Sequence, residues 1–154
     1  MGIGMWLSAI HSPTLLEKKT LPTAQSIKQN NSIVSIPEHS AIIVITPTQT
    51  KLHFTRMPTA KLTSITIAMD KAFTAAGHRA PTSTYTTGPA AKNFLPGGPG
   101  FGIFNSNGGR FCVIGGGLPI EVRGQVVGAI GVSTGTPAQD EEVANAGVRA
   151  VEEW

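Results

Sequence analysis

The chain is 154 residues long, 40% hydrophobic and 14% charged, which gives room for one domain with a real core. Its net charge of +3 is scattered, with Lys18-Lys19 the only basic doublet before His78-Arg79, so no basic stripe marks a nucleic-acid surface. The single cysteine, Cys112, excludes an internal disulfide and fits a reducing compartment, and no His/Cys spacing suits zinc or covalently attached haem.

Met1 to Ile10 is apolar but lacks the cationic start of a signal peptide and has about half the length of a bilayer span. Residues 1–13 therefore read as a loose leader, residues 14–154 as a single domain, and the expected location is cytoplasmic, with no membrane partner. Thr14-Leu15-Leu16-Glu17 matches a capping box and predicts a helix toward Asn30, interrupted or delayed by Pro22. Ala41 to Ile45 and Lys51 to Arg56 read as a hairpin, the first β-branched and the second alternating Leu52 and Phe54 with His53 and Thr55. Thr63 to Ala76 predicts a helix with a face of small residues and Gly77 as its stop. Arg79 to Gly109 reads as a long loop, rich in Pro, Gly, Thr and Asn.

Phe111 to Ile114 is a short apolar run that predicts a buried strand, broken by Gly115, Gly116 and Gly117. Leu118 to Val122 and Gln125 to Ser133 predict a hairpin turning at Arg123-Gly124. Gly128 and Gly131 thin the second strand, so a helix or another subunit packs closely there. Thr136-Pro137-Ala138-Gln139 is a capping box with proline at the first helical position, and Asp140, Glu141 and Glu142 follow where the positive helix end favours acid. The order is helix, two strands, helix, long loop, three strands, helix. It implies an α+β domain with a single antiparallel sheet of about five strands flanked by helices.

Two motifs invite a chemical reading and fail on context. Gly131-Val132-Ser133-Thr134-Gly135 matches a nucleophile elbow, but His11, His39, His53 and His78 all precede the serine, whereas that hydrolase order places histidine after it. Gly97-Gly98-Pro99-Gly100-Phe101-Gly102 has the glycines of a phosphate loop without the following Gly-Lys-Ser/Thr. Cys112, within an apolar run, reads as a small buried hydrophobe. The remaining candidate combines amides with cations: Gly115 to Gly117 as an anion nest, the helix start at Thr136 as a second set of donors, and Lys71, His78 and Arg79 as positive charge or an axial metal ligand. A small anionic, carboxylate-bearing ligand suits such a place.

Three stretches, Ile67 to Ala75, Pro81-Thr82 and Pro96-Gly97, together with Gly115-Gly116-Gly117-Leu118-Pro119 through Gly124 to Ser133 and Gln139-Asp140-Glu141, resemble the GlcG/HbpS-like group, the haem-degrading domain family. That resemblance implies a profilin-like fold, homo-oligomers of two or more copies, and haem or a related tetrapyrrole as ligand. It adds Thr82 to the candidate cofactor-binding residues, with His78 as the metal ligand on grounds of ligand chemistry. The first half departs from the family pattern, with Thr46 to Thr50 in place of an aspartate-glycine turn and Pro58-Thr59 in place of an acidic-glycine pair. The alternative is a cofactor-free isomerase or lyase on a small carboxylate or carbonyl metabolite, with Lys71 or His78 as acid or base.

Overall fold

The computed structural model describes residues 26–29, 32–35, 41–45 and 51–152. The strands among them are β1 (Ser26–Gln29), β2 (Ser32–Ser35), β3 (Ala41–Ile45), β4 (Lys51–Arg56), β5 (Gly117–Val122) and β6 (Gln125–Ser133). The α-helices are α1 (Leu62–His78), the single turns α2 (Thr84–Thr87) and α3 (Ala91–Phe94), and α4 (Pro137–Glu152), and two 3₁₀ turns, Phe101–Asn105 and Asn107–Gly109, follow α3, so the stretch expected as a long loop carries four short helical turns. The fold is α+β. The last four strands form one antiparallel sheet in the order β4-β3-β6-β5, while β1 and β2 pair only with each other. The main sheet thus has four strands, against the expected five or so.

Two predicted elements differ. Phe111 to Ile114 forms no strand and belongs to no sheet, and two of its backbone groups are taken by side chains. The Cys112 amide donates to Thr74 Oγ1 at 2.9 Å, and the Ile114 carbonyl accepts from Thr82 Oγ1 at 2.7 Å. Residues 26–29, placed by the sequence at the end of a first helix, form a strand instead, with Gln29 opposite Ser32. Period-two β pairing wins there over helix propensity, as tertiary context commonly does. The start of that predicted helix and the leader at 1–13 lie outside the described residues.

Both predicted hairpins are present, β3 with β4 and β5 with β6. Arg123 and Gly124 at the second turn have φ of 53° and 74°, the paired positive values of a type I′ turn. α1 passes through Gly77 and ends one residue later, with Arg79 at φ 55° taking the left-handed position expected of glycine.

Alternation along β6 sorts the core into two layers. Ala129 packs with Ala68, Ala72, Ala75 and Ala76 of α1. Ile130 and Val132 point the other way, into a cluster with Leu118 and with Val143, Ala144 and Ala146 of α4. The two long helices therefore lie on opposite faces of the sheet. Gly131 sets the closeness of α1: a Cβ there would fall on the Ala68 carbonyl oxygen and within 2.7 Å of the Ala72 nitrogen. On the other face, burying an Ile130-sized side chain contributes about 1.5–3 kcal/mol.

Candidate functional site

The triple-glycine corner leads into β5 and lies against a buried ion pair. Lys71 of α1 is 1% exposed, and its Nζ donates to Asp140 Oδ2 of α4 at 2.7 Å and to the Val132 carbonyl at 2.8 Å. Asp140 is itself buried and spends its second oxygen on the Gly135 amide, 2.9 Å away. Gly116, at φ 111°, gives the pair its space, since a Cβ there would lie 2.6 Å from Asp140 Cβ and 3.0 Å from Lys71 Nζ. Gly117 approaches α1 as closely, with a Cβ position 2.5 Å from the Lys71 carbonyl oxygen. Its amide donates to Thr82 Oγ1 at 3.0 Å, and its carbonyl accepts from the Thr82 amide at 2.9 Å. Thr82 is fully buried. Lys71, Thr82, Gly116 and Gly117 are thus brought together, but they contact each other. Their polar groups face inward, and Lys71 has no open route to a bound molecule.

The start of α4 is capped by its own side chains. The Thr136 amide donates to Gln139 Oε1 at 2.9 Å, and the Gln139 amide donates back to Thr136 Oγ1 at 3.3 Å. The capping box is therefore formed, and Pro137 brings no N–H. Beside this end lies a hollow of about 290 Å³ lined by Gly115, Ser83, Thr86, Thr87, Ala138 and Glu141. Glu141 Oε1 accepts from Ser83 Oγ at 3.0 Å, so a carboxylate stands where the sequence suggested room for an anion.

His78 and Arg79 lie apart from the corner, exposed at the end of α1. His78 Nδ1 is 2.8 Å from the hydroxyl of Tyr85. Its ring meets Phe111 edge-on with centroids 4.8 Å apart, and Tyr85, Phe94 and Phe104 continue the contact within 6.1 Å of one another or of Phe111. The loop of residues 79–110 is thus folded over an aromatic cluster. Burial pushes the Tyr85 phenol above its ordinary range, so it stays protonated at neutral pH. Phe111 and Phe104 also wall a second hollow of about 230 Å³, shared with Ile67 and Cys112. Burial likewise raises the Cys112 thiol, which is only partly offset by the Ile114 backbone and by Lys71.

Ser133 of the elbow-like pentapeptide is buried within β6 opposite Ala41, so no exposed nucleophile results. The next residue, Thr134, is held at φ 130° with its hydroxyl buried and unpartnered among the described residues. No group of three or more His, Cys, Asp or Glu that could hold a metal occurs among the described residues. The sequence reading did not single out Tyr85 or Phe111 as partners of His78. The available signal was the concentration of Tyr85, Phe94, Phe101, Phe104 and Phe111 in an otherwise polar loop.

The sequence model of the haem degrading protein HbpS-like family matches residues 28–149. The chain belongs to that family. A Citrobacter freundii 15.0 kDa protein from the dhaT-dhaS intergenic region is 39% identical over 89 residues, covering 58% of this chain and 59% of that one. The match spans less than two thirds of that relative. Among solved structures, Klebsiella pneumoniae ORFY is similar with a TM-score of 0.69 and 30% identity, over 75% of this chain and 76% of that one. A PduOC complex with heme gives 0.65 and 26%, over 72% and 77%. A double mutant of Streptomyces reticuli HbpS gives 0.59 and 27%, over 73% and 71%. No helix among the described residues is long and apolar enough to cross a membrane.

Proposed function

We propose that this HbpS-like chain binds haem or a related tetrapyrrole at an open half-site centred on His78. The observation that carries the reading is the His78–Tyr85 contact beside an aromatic surface. A neutral imidazole ligates through one nitrogen while the other donates a proton to a fixed partner. In the tautomer in which the Tyr85 oxygen accepts from Nδ1–H, the lone pair is left on Nε2, and His78 is exposed. Family membership and the similarity to the PduOC heme complex support the same ligand.

The residues fit the group in chemistry. His78 would hold the metal, Arg79 next to it supplies a cation for a propionate, and the Phe111, Phe104 and Phe94 rings offer apolar surface. Bound there, the group supplies redox-active iron or its macrocycle. The chain holds the imidazole ring in place through the Tyr85 contact and covers one side of it with aromatic rings. Hollows of about 230 and 290 Å³ fall below the usual range of about 300–1,000 Å³ for enclosed ligand sites. The half-site is therefore open, and a second copy completing it accounts for the expected homo-oligomer. Phe101, Ile114 and Leu95, at 43%, 44% and 55% exposed, give that face apolar surface to cover.

The test is the visible spectrum of the purified protein together with its mass in solution, before and after adding haemin. The reading expects a Soret band to appear with a mass of at least two copies. A monomer with only the spectrum of free haemin contradicts it.

A further inference from the structure

We infer that Asn107-Gly108 is a site of spontaneous covalent modification, where the asparagine cyclises onto the following amide and opens as aspartate or isoaspartate, independent of the tetrapyrrole reading. The asparagines among the described residues are Asn93, Asn105, Asn107 and Asn145, and the residues that follow them are Phe94, Ser106, Gly108 and Ala146. Only after Asn107 does the next residue lack a side chain, so only there is the attacking nitrogen unobstructed. Asn145 is further held within α4, where its Nδ2 donates to the Glu141 carbonyl at 3.0 Å and the following amide belongs to the helical ladder. Asn107 and Gly108 are both exposed, with φ of 52° and 66°, and Gly109 continues at 78°.

The turn is held lightly. The Gly109 amide donates to the Ser106 carbonyl at 2.9 Å, and the Arg110 amide donates to the Asn107 carbonyl at a long 3.4 Å. The Gly108 N–H is the donor of neither bond. Glycines at 108 and 109 reach other backbone conformations at little steric cost, so the turn opens into arrangements that bring the Gly108 nitrogen to Asn107 Cγ. Hydroxide removes the Gly108 N–H proton, the nitrogen bonds to Cγ, and the Cγ–Nδ2 bond breaks as ammonia leaves. Water then opens the cyclic imide at either carbonyl. Opening at Cγ gives aspartate, and opening at the main-chain carbonyl gives isoaspartate, whose main chain runs through Cγ. The net change exchanges a neutral amide and water for a carboxylate and ammonium.

Either product alters the turn. Asn107 Nδ2 donates to Ser106 Oγ at 2.9 Å, while Ser106 Oγ gives its own proton to the Ile103 carbonyl at 2.6 Å. A carboxylate has no proton for Ser106, so that contact is lost. Isoaspartate also lengthens the main chain by a methylene and parts the Ser106–Gly109 bond. The turn joins Phe104 to Phe111, whose rings meet 5.9 Å apart, so the modification loosens that link.

The test is peptide mapping by mass spectrometry of the full chain after incubation at mildly alkaline pH. The peptide carrying Asn107 should gain about 1 Da and split into aspartate and isoaspartate forms, with fragment masses placing the gain at Asn107 and the isoaspartate form accepting a methyl group from isoaspartyl methyltransferase. Conversion should quicken as pH rises and be largely lost in Gly108→Ala. Because that variant puts a Cβ at a positive φ, Asn107→Gln, which keeps Gly108, is the second variant, and both are first checked for a native circular dichroism spectrum. The Gln variant should show no gain at position 107. An equal gain at Asn105 or Asn145, an undiminished gain in the folded Gly108→Ala protein, or no gain in the native chain, whatever a urea-unfolded sample does, overturns the inference.

Discussion

Lys71 and Asp140 reach each other from helices on opposite faces of the sheet, 2.7 Å apart and 1% and 4% exposed. The pair passes the end of β5 where Gly116 has no side chain, and it ties α1, β6 and α4 through one ammonium. A buried charge left without its partner costs far more than an exposed one.

Removing either charge should therefore destabilise the fold by about 3–5 kcal/mol. Urea unfolding of Lys71→Met and Asp140→Leu would show the loss, and the double variant should recover most of it because both charges leave together. A Lys71→Met protein as stable as the parent would show that the pair holds nothing together.

Three glycines separate close packing from backbone strain. Gly131→Ala should cost about 1–3 kcal/mol, since its Cβ meets the backbone of α1. Gly124→Ala has open space but φ of 74°, so it should cost about 1–2 kcal/mol. Gly102→Ala, with open space and no positive φ, should be neutral or slightly stabilising. Thermal denaturation of the three checks the order.

Burial raises both Cys112 and Tyr85, so their neutral forms are favoured in the folded state. In alkaline solution the unfolded chain gives up these protons first, and it then binds fewer protons than the native state. Stability contributed by the two groups is thus full below their ordinary values of 9.0 and 10.0 and is lost as pH rises through the folded ones. Unfolding midpoints measured upward from neutral pH should fall, and less so in Cys112→Ala. Alkylation of Cys112 in the native protein should be slower than in the unfolded chain at the same pH.

Much of the second half of the fold was legible because its signals are local. The Thr136–Gln139 box, the Arg123-Gly124 turn and the small face of α1 each depend on residues within a few positions. Phe111 to Ile114 misled because an apolar run carries no record of what its backbone bonds to, and here Thr74 and Thr82 intercept it from 38 and 32 residues away. The site was legible in residue type but not in grouping. Gly115 to Gly117 looked like an anion nest, yet Lys71, Asp140 and Thr82, distant in sequence, occupy that space. His78 was a candidate on its chemistry alone, whereas its contact with Tyr85 became visible only when the loop was folded back on the helix end.

Tyr85→Phe keeps the ring and deletes the hydroxyl that fixes the His78 imidazole. Loss of such a supporting partner costs about 10–100-fold in metal affinity. Haemin affinity should fall by that order while the mass in solution stays the same. An unchanged affinity would place the ligand elsewhere.

The most direct measurement is a haemin titration of the parent protein and of His78→Ala, followed in the Soret region. The account predicts a saturable shift in the parent and its loss in the folded variant. An identical shift in both, or none in either, contradicts it.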